Sequence, residues 1–565
     1  MKRMAGEREA QRVLDELQRQ GVTATSLCAD SRAVAPGDVF VAFPGARADG
    51  RRFIADAVAR GAAAVLWERQ GHAFDVALKV PNLAVDDLQA LSGWLALLVY
   101  GRPSEKLWSV GITGTNGKTS VSQWIARAFE LLGRRCAVVG TLGCGFPGNL
   151  EESLNTTPDA LILHRLFAGY LAQGAQAVAM EVSSIGLHQG RVNGVHFDVA
   201  VFTNLTRDHL EYHGGMAAYG AAKEQLFATP GLKTAVLNLD DALGRKIARD
   251  LAGRGVQVTG YTLRGETAPG VDVLLAAEGI AATPRGQRFT AVTPQGRVDI
   301  QAQVVGEFNV SNLLAVLGTL LASGVPLDRA AAVLQRLTSS PGRMQALGGD
   351  SQPLAVIDYA HTPDALDKAL AALRGAAAAR GGRLVCVFGC GGNRDPGKRP
   401  LMGEVAVRRA DAVILTSDNP RDEDPQAILA DIVRGAPGAR TIADRGEAIR
   451  AALAEADARD VVLIAGKGHE SYQEIAGRRQ PFSDVDCAAA ALASRGGPPH
   501  RSAPQVRWRM PPPPRSTCWC STRPASRRST APATPPASRN WWRWPIRPMW
   551  IAVCRSVCAW SVQNR

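Results

Sequence analysis

The sequence lacks any uninterrupted apolar run long enough to span a lipid bilayer, and it does not begin with a charged segment followed by an apolar one. We therefore expect a cytoplasmic protein without membrane insertion. A metal-binding cysteine framework is also missing, because the ten cysteines are scattered and no second pair backs Cys386 and Cys390. Reduced thiols are the simpler interpretation of such cysteines in a cytosolic chain. No repeat at a solenoid period is present either.

Lysine and acidic residues are absent from residues 498–565, a segment that holds 12 arginines, seven of the 11 tryptophans and runs of proline. Its arginines account for most of the net charge of +13 and leave +1 for residues 1–497. We therefore expect no nucleic-acid partner for the main part of the chain. Our hypothesis is that the segment is an out-of-frame or disordered extension. A basic RNA-binding tail with aromatic residues for stacking is the functional alternative.

A chain of 565 residues is too long for a single hydrophobic core, so several domains are expected. Apolar runs that end in polar loops predict buried strands, and helical periodicity, as in residues 365–374, lies between them. The alternation indicates an α/β fold with a mostly parallel sheet in the central region and a doubly wound sheet in the C-terminal region. The predicted strands cover residues 38–43, 63–67, 106–112, 177–182, 198–202, 234–238, 354–358, 384–388, 412–415 and 461–464.

A glycine-rich loop, GITGTNGKTS at residues 111–120, follows the first predicted strand of the central region and precedes a helical pattern. Glycines let successive N–H groups point into one concavity, and the helix N-terminus adds further donors, so the loop is suited to phosphate. Lys118 would reach the terminal phosphates, and the hydroxyl of Thr119 would contact Mg²⁺. The general phosphate-loop pattern has glycine six residues before the lysine, where this chain has Ile112. The loop is therefore a variant, and a simple glycine-rich turn is the structural alternative.

Three further residues follow or lie near predicted strands and would be unremarkable alone. Glu181 ends one strand and could be a core carboxylate, His209 follows another and could be a surface histidine, and Lys223 could be a solvated charge. Beside a phosphate loop, a carboxylate in Glu181's position is better explained as a Mg²⁺ ligand.

Taken in order along the chain, these motifs resemble those of the ATP-dependent Mur ligases of peptidoglycan synthesis. The resemblance rests on TGTNGKT, EVSS, TNLTRDH and YGAAK in the central region, and on GEFNVSN, PGR, DYAHTP and GCGGNRD after it. It covers residues 25–490. It implies an N-terminal UDP-sugar-binding domain (1–104), a central P-loop ATP-binding domain with a parallel sheet (105–338) and a C-terminal Rossmann-like amino-acid-binding domain (339–497). Residues 498–565 are left as the tail.

The resemblance also implies a mechanism and a set of site residues. A carboxylate of a UDP-linked muramoyl dipeptide attacks the γ-phosphate of ATP, and an amino acid then displaces phosphate from the acyl phosphate. The implied catalytic residues are Lys118, Glu181, His209 and Lys223. Mg²⁺ would be held by Thr119, Glu181, His209 and Lys223, the last as a carbamylated lysine. ATP would be bound by Gly114, Thr115, Asn116, Gly117, Lys118, Thr119, Asn309, Arg343 and Asp358, and the UDP-linked dipeptide by Ser31, Thr156, Thr157, Ser183, Gln189 and Arg191.

The sequence Asp418-Asn419-Pro420-Arg421 resembles the motif of family members that add meso-diaminopimelate to UDP-N-acetylmuramoyl-L-alanyl-D-glutamate. Arg421 can offer two donors to the far carboxylate of diaminopimelate, a group that lysine lacks. By the same resemblance, Arg394, Gly466 and Glu470 complete the amino-acid pocket. Two residues depart from the family pattern, namely Ile185, where relatives commonly have histidine, and Asn393, where they commonly have aspartate.

Three alternatives stay open at this point. A ligase that adds L-lysine differs only in its amino-acid pocket. A folylpolyglutamate synthetase shares the phosphate loop and the two-step chemistry, and a non-catalytic nucleotide switch needs the loop alone. The substrates of the favoured ligase are small molecules, and a monomer is expected.

Overall fold

The computed structural model describes residues 2–45, 48–153, 155–283 and 286–495. The hypothesis about residues 498–565 therefore lies outside the described residues. Three sheets, each packed with helices, follow one another along the described chain. The boundaries at 104, 338 and 497 stay predictions.

The N-terminal sheet is parallel, with the strand order β1-β2-β3-β4 among the residues described. Val39 and Val41 face α1 and α3, whereas Phe40 and Ala42 face α2 and belong to a second cluster, because successive side chains of a strand point to opposite faces. The elements are α1 (Lys2–Arg19), β1 (Leu27–Cys28), β2 (Val39–Ala42), α2 (Ile54–Ala59), β3 (Ala64–Glu68), β4 (Asn82–Val85), α3 (Leu88–Val99) and α4 (Pro103–Lys106).

The first half of the central region builds the parallel part of the second sheet, whose neighbouring strands run in the order β10-β5-β9-β6. The elements are β5 (Trp108–Thr113), α5 (Lys118–Leu131), β6 (Cys136–Gly140), β7 (Gly143–Phe146), β8 (Asn149–Glu151), α6 (Ala160–Ala172), β9 (Ala177–Glu181), α7 (Ser184–His188), β10 (Val199–Phe202), α8 (Leu210–His213) and α9 (Met216–Glu224).

The second half extends that sheet on the β10 side, first with parallel and then with antiparallel strands. Its elements are β11 (Thr234–Asn238), α10 (Ala242–Leu251), β12 (Gln257–Thr262), β13 (Val273–Thr283), β14 (Gly286–Thr293), β15 (Gly296–Ala302), α11 (Glu307–Ala322) and α12 (Leu327–Leu334). Helices α5, α11 and α12 cover one face of the sheet, and α6 and α10 cover the other. The mostly parallel character of the centre was predicted, whereas the individual strands β6 to β8 and β12 to β15 were not.

The C-terminal sheet has the order β16-β17-β21-β18-β19-β20 within the described chain, and only the edge strand β16 pairs antiparallel. Helices α13 to α15 pack on one face and α16 and α17 on the other, which confirms the doubly wound α/β prediction. The elements are β16 (Gln345–Gly348), β17 (Leu354–Asp358), α13 (Pro363–Arg380), β18 (Leu384–Phe388), α14 (Lys398–Arg409), β19 (Ala412–Leu415), α15 (Pro425–Val433), β20 (Arg440–Thr441), α16 (Arg445–Glu455), β21 (Val461–Ala465), β22 (Tyr472–Ile475), β23 (Arg478–Pro481) and α17 (Asp484–Ala493).

Local end signals explain why α13 is longer than the predicted helix over residues 365–374. The side chain of Thr362 accepts a hydrogen bond from the Ala365 N–H, and Pro363 occupies the first turn. The helix then continues through an alanine-rich stretch, which has high helix propensity but little polar contrast, and ends before Gly381 in the left-handed conformation.

Candidate active site

The glycine-rich loop joins β5 to α5 and packs tightly against neighbouring elements. Gly114 has φ +147°, and a Cβ there would lie 1.9 Å from the Oγ1 of Thr203. Gly117 has φ +88°, and its Cβ would lie 2.5 Å from the Oδ1 of Asn312. Ile112 lies inside β5 and is fully buried, so the turn begins after it. The unusual isoleucine is thus a core residue of the strand and leaves the loop intact.

Lys118 folds back over this loop at the start of α5. Its Nζ donates to the carbonyl oxygens of Gly114 at 2.8 Å and Thr115 at 2.9 Å. Burial lowers the pKa of Lys118, while the charge of Glu181 opposes that shift. The predicted contact with phosphate would require the ammonium to exchange these two carbonyls for phosphate oxygens.

Glu181, at the end of β9, is fully buried beside the loop. Its carboxylate accepts hydrogen bonds from the Thr119 hydroxyl at 3.0 Å, the Thr141 N–H at 2.8 Å and the Thr141 hydroxyl at 3.1 Å. Gly140 leaves room for it, because a Cβ there would lie 2.2 Å from the Oε1 of Glu181. The predicted partners Thr119 and Glu181 are therefore in contact.

These oxygen ligands are compatible with magnesium. Mg²⁺ is bound by one or two carboxylates or hydroxyls together with substrate phosphates, and the Thr119–Glu181 pair supplies a hydroxyl and a carboxylate next to the phosphate loop. Among the residues described, no three His, Cys, Asp or Glu side chains converge on a common metal position. A bound ion would therefore depend on the phosphates of the nucleotide for much of its coordination.

Lys223 lies on α9 and reaches the same loop from the other side. Its side chain is buried, and its Nζ donates to the Gly114 carbonyl at 3.0 Å and lies 4.2 Å from the ring centroid of Tyr219. Burial, reinforced by the charge of Lys118, lowers the pKa of Lys223 to about 6. Tyr219 in turn contacts the Thr115 hydroxyl at 3.2 Å. The predicted solvated alternative for Lys223 is wrong.

His209 is the more exposed member of the predicted catalytic set. It has φ +51°, and its ring centroid lies 6.2 Å from that of Tyr219. Its Nε2 lies 3.6 Å from the carboxylate of Asp208. The structure thus places both His209 and Lys223 near the ring of Tyr219, which itself contacts the phosphate loop at Thr115.

The residues predicted to hold the rest of ATP lie on α11 and around β17. Asn309 is buried and accepts a hydrogen bond from Asn312 at 3.2 Å, which links it to Gly117. The guanidinium of Arg343 lies 5.0 Å from the Tyr359 ring centroid. The carboxylate of Asp358 accepts from the N–H groups of Met344 and Ala360 at 2.8 and 2.9 Å, which fixes the segment that contains Arg343. Burial raises the pKa of Asp358, while the charge of Arg343 counters the shift.

Two residues of the phosphate loop, Thr115 and Asn116, contact the loop that follows β10. Thr115 N–H donates to the Asn204 carbonyl at 2.8 Å, and Asn116 N–H donates to the Asn204 side chain at 3.0 Å. The TNLTRDH motif, residues 203–209, therefore supports the loop directly.

The predicted dipeptide-binding residues form one network between β9 and α7. Thr157 donates to the Glu181 carbonyl at 3.0 Å and contacts Ser183 at 3.1 Å. Arg191 donates to the Thr157 carbonyl at 2.7 Å and to the Gln189 side chain at 2.7 and 2.9 Å. Thr156 joins through the Thr141 hydroxyl at 3.0 Å.

Ser31 lies apart from this network, in a turn after β1 whose first residue, Asp30, forms a two-contact ion pair with Arg32. Ile185, the first departure from the family pattern, leaves Ser183 in a capped position, since the Ser183 Oγ accepts from the Gly186 N–H at 3.0 Å.

The predicted amino-acid pocket lies at the carboxyl ends of β18, β19 and β21, which are neighbours in the C-terminal sheet. Arg394 follows β18, residues 418–421 follow β19, and residues 466–470 follow β21. Ligands of doubly wound sheets bind at this edge. The three segments are separated by up to 76 positions of sequence but meet at one place because their strands are adjacent.

The side chains of two arginines approach Gly391 in this pocket. A Cβ at Gly391 would lie 3.0 Å from the Nη1 of Arg421 and 3.9 Å from the Cγ of Arg394. Arg421 donates to the Gly392 carbonyl at 2.8 Å, and its Nε lies 3.4 Å from the Glu474 carboxylate. Pro420 approaches Gly392 so closely that a Cβ there would lie 1.9 Å from its carbonyl oxygen.

Asn393, the second departure, suits its position. It has φ +52°, a conformation that asparagine adopts more readily than most residues. Its side chain contacts the carboxylate of Asp422 at 3.4 Å and accepts from the Asp422 N–H at 3.2 Å.

The carboxylate side of the pocket is formed by Asp418 and Glu470. Burial raises the pKa of Asp418, while Arg445 counters that shift, and one Asp418 oxygen is buried without a hydrogen-bond partner in the described structure. Burial also raises the pKa of Glu470, but the hydrogen bond and charge of Lys467 outweigh it, so the net shift is downward. Gly466 allows close packing here, since its Cβ would lie 2.4 Å from an Asp418 oxygen.

Several residues of the candidate site were not predicted from the sequence, namely Thr141, Tyr219, Asn312, Arg445, Lys467 and Asp484. Four of them had a detectable signal, since Tyr219 and Asn312 lie within the motifs YGAAK and GEFNVSN. Lys467 alternates with glycines directly after a buried strand, within the motif that supplied Gly466 and Glu470, and Thr141 directly follows a strand next to the one that ends in Glu181. The contacts of Arg445 with Asp484 join α16 to α17, and no pattern in the sequence indicated them.

Three family descriptions match successive parts of the chain: Mur ligase family, catalytic domain, at residues 23–100; Mur ligase middle domain at 112–320; and Mur ligase, glutamate ligase domain, at 342–468. The chain is 54% identical over 487 residues to the UDP-N-acetylmuramoyl-L-alanyl-D-glutamate--2,6-diaminopimelate ligase of Chromobacterium violaceum, with 86% of this chain and 97% of that protein covered. The chain belongs to the Mur ligase family. The predicted family and three-domain architecture are therefore confirmed.

Other relatives agree with this assignment. The ligase of the same name from Pseudomonas aeruginosa is 51% identical over 471 residues, covering 83% of this chain and 95% of that one. A solved structure of a UDP-N-acetylmuramoyl-L-alanyl-D-glutamate--2,6-diaminopimelate ligase has a TM-score of 0.64 at 39% identity and covers 84% and 96% of the two chains.

The folylpolyglutamate synthase of Mycobacterium tuberculosis, solved with ADP and AMPPCP, is similar in fold alone. It has a TM-score of 0.53 at 20% identity, over 73% of this chain and 96% of that one. Within the described chain, no helix has the length and apolar character needed to cross a membrane.

Proposed function

We propose that this Mur ligase joins meso-diaminopimelate to UDP-N-acetylmuramoyl-L-alanyl-D-glutamate at the expense of ATP, in peptidoglycan precursor synthesis. The observation that supports it is the pocket at the carboxyl ends of β18, β19 and β21, where the side chains of Arg394 and Arg421 both approach Gly391. Two guanidiniums suit the far carboxylate of diaminopimelate, and the carboxylates of Asp418 and Glu470 suit its far ammonium. The relatives named for this reaction match nearly their full length.

The first step requires two anions to approach each other, the dipeptide carboxylate and the γ-phosphate of ATP. The N–H groups of residues 114–119 and the N-terminus of α5 receive the phosphates, and Lys118 neutralises the charge that develops on the transferred group. The network of Thr157, Ser183 and Arg191 lies next to Glu181 and positions the dipeptide on the same side. The products of this step are an acyl phosphate and ADP.

In the second step the amine of diaminopimelate attacks the acyl carbon, and phosphate leaves. Arg394, Asn419 and Arg421 orient the far end of the amino acid so that its reacting amine points out of the C-terminal sheet. Water must be kept from the acyl phosphate, so we expect the central and C-terminal regions to close over the bound substrates.

Magnesium would be held by Thr119 and Glu181, with a second ion beside His209 and Lys223. When bound, the metal neutralises phosphate charge and polarises the bond to the leaving group. The surroundings of Lys223 support its carbamylation, because a pKa of about 6 leaves the amine largely neutral at pH 7, and the neutral amine is the form that adds carbon dioxide with release of a proton. The resulting carbamate is an anionic oxygen donor, whereas an ammonium repels a cation.

We also propose that the enzyme works in the cytoplasm, where ATP is available, and as a monomer. A single chain supplies the nucleotide, dipeptide and amino-acid residues named above, so a second copy is not needed to complete the site.

The test is phosphate release by the full chain with ATP, Mg²⁺ and the UDP-linked dipeptide, with meso-diaminopimelate or L-lysine added in parallel. We expect release with diaminopimelate only, and a tripeptide product by mass spectrometry. Release with lysine would keep the ligase and contradict the pocket assignment. Absence of phosphate release with both amino acids would contradict the proposed reaction.

Arg421→Ala sharpens the test of the pocket. Loss of one charge-assisted contact should raise the KM for diaminopimelate about 30-fold and leave the KM for ATP within about 2-fold. Arg478→Ala, on the exposed strand β23 of the adjacent hairpin, is the matched control and should match the wild type. An unchanged KM for diaminopimelate in Arg421→Ala would remove Arg421 from the site.

A further inference from the structure

Lys467 is a fully buried lysine beneath the amino-acid pocket. Its Nζ donates to the Oδ1 of Asn419 at 3.0 Å and to the Oε2 of Glu470 at 2.8 Å, and it lies 5.5 Å from the ring centroid of Tyr472. Burying an ammonium is costly unless it is paired with an opposite charge, and a well-packed apolar side chain in such a position often stabilises the fold equally well. The position therefore calls for an explanation in the chemistry of the pocket.

The first consequence concerns Asn419. Its Oδ1 accepts from Lys467 and also from the Glu474 N–H at 2.9 Å, which uses both lone pairs of that oxygen. Its Nδ2 donates to the Glu470 Oε2 at 2.8 Å and keeps a second N–H. Donors on one side and a carboxylate on the other fix the orientation of the amide. Asn419 can therefore offer a ligand only a donor.

The second consequence concerns the carboxylates. Lys467 and Asn419 both bind Oε2 of Glu470, which leaves Oε1 as the acceptor available to a ligand. In Asp418 the Oδ1 accepts from the Asn419 N–H at 2.8 Å, while Oδ2 is buried, has no hydrogen-bond partner within the described structure and lies 4.0 Å from the Nη1 of Arg445. Lys467 thus fixes Asn419 as a donor, like the two arginines, and leaves Oε1 of Glu470 as an acceptor, like the carboxylate of Asp418.

We propose that Lys467 is a positioning residue that sets this order of donors and acceptors and so selects an amino acid with both a carboxylate and an ammonium at its far end. The inference rests on the proposed function. Without Lys467, the Asn419 amide can rotate and present its oxygen to the substrate carboxylate, and Glu470 loses the contact that holds its Oε2 away from the ligand. Lys467 acts through these two residues and has no contact with the reacting atoms.

The test uses Lys467→Met in the full chain, because methionine has similar length and no charge. We expect the KM for meso-diaminopimelate to rise about 30-fold, the scale of one lost hydrogen bond to a charged group. The kcat at saturation and the KM for ATP should change by less than about 3-fold, since the phosphate loop is untouched. Lys368→Met is the matched control, as Lys368 is a half-exposed lysine of α13 whose ion pair with Asp364 is on the surface. It should match the wild type.

A second substrate separates positioning from general damage. 2-Aminopimelate keeps the far carboxylate and lacks the far ammonium, so the wild type should prefer meso-diaminopimelate strongly. In Lys467→Met we expect that preference, measured as a ratio of kcat/KM values, to fall about 10-fold. A fall in activity with both amino acids by the same factor, or a rise in the KM for ATP, would indicate a structural role and overturn the proposal.

Coupling to Asn419 is the final measurement. If Lys467 acts through Asn419, Lys467→Met should raise the KM for diaminopimelate by less than about 3-fold in an Asn419→Ala background. Additive effects would overturn the proposal. Lys467→Gln, which keeps a donor, should give an intermediate KM and serves if Lys467→Met fails to fold. A wild-type enzyme that does not use meso-diaminopimelate would refute the proposed function and with it this inference. An active wild type together with an unchanged KM for meso-diaminopimelate in Lys467→Met would refute the inference alone.

Discussion

The buried ion pair between Arg445 and Asp484 provides the sharpest stability prediction. Both side chains are fully buried, and the Nε and Nη2 of Arg445 each lie 2.7 Å from a carboxylate oxygen of Asp484. Arg445 also donates to the carbonyl oxygens of Ser417 at 3.2 Å and Ala465 at 3.0 Å, at the ends of β19 and β21. The pair therefore ties α16 and α17 to the two strands that lead into the amino-acid pocket.

Asp484→Asn keeps the shape of the side chain and removes its charge. The Arg445 guanidinium then stays buried without the carboxylate that it pairs with in the wild type. The nearest remaining carboxylate is that of Asp418, 4.0 Å away, and it faces the pocket. Breaking a buried pair in this way costs about 3–5 kcal/mol. We expect a loss of this size in the free energy of unfolding, with a smaller cost for Arg445→Met/Asp484→Leu, where no charge is left unpaired.

Urea unfolding followed by circular dichroism, at a fixed protein concentration, measures the change. Arg459→Ala is the control, because Arg459 and Asp457 form an ion pair on the surface of the same region, and its midpoint should match the wild type. A cost below about 1 kcal/mol for Asp484→Asn would refute the reasoning, as would a double replacement less stable than the single one.

Two further predictions concern the phosphate loop and His164, a buried residue of α6. Gly114→Ala should weaken ATP binding at least about 10-fold, because its Cβ would clash with Thr203. Gly133 also has a positive φ, +81° against +147° for Gly114, but has open space around it, so Gly133→Ala should bind ATP normally; nucleotide titration by calorimetry measures both. Burial lowers the pKa of His164 to about 4 in the folded protein, whereas the pKa of an unfolded histidine is about 6.5. Between these two pH values mainly the unfolded chain takes up the proton, so the free energy of unfolding falls as the pH drops toward 4. We expect this residue to cost the wild type about 2 kcal/mol between pH 7 and pH 5, and His164→Leu to remove that part of the pH dependence in urea midpoints. An equally steep dependence in the variant would contradict the assignment.

The sequence predicted most strands of the two large sheets that are buried on both faces, but it missed the buried parallel strands β6 and β12. Residues 234–238, 354–358, 384–388 and 412–415 are strands with the predicted bounds, because continuous apolar runs between polar loops are typical of parallel strands covered by helices. The strands β13 to β15 were missed, since they lie at the edge of the sheet and mix exposed charged residues with small ones. Their pairing depends on neighbours that a local pattern does not contain.

The candidate site was predictable in its residues but less so in its connections. A strand end identified Glu181, because ligands of parallel sheets bind where strands end, whereas Arg394 and residues 418–421 came from the resemblance to the Mur ligases. The contact between Thr141 and Glu181 depends on the pairing of β6 with β9, which sequence spacing does not show. The burial of Lys223 and Lys467 was equally hidden, since an isolated lysine is exposed in most folds.

These two buried lysines act in different ways because their partners differ. Near Lys223 the Gly114 carbonyl is the hydrogen-bond acceptor and Lys118 is a like charge, so burial lowers its pKa and the neutral amine is available for chemistry. Lys467 instead lies 2.8 Å from the carboxylate of Glu470, and its charge counters the effect of burial on that carboxylate's pKa. A charged lysine with a carboxylate partner is suited to holding other side chains in place. We therefore expect the carboxylate partner, more than the depth of burial, to distinguish the positioning role proposed for Lys467 from the reactive role proposed for Lys223.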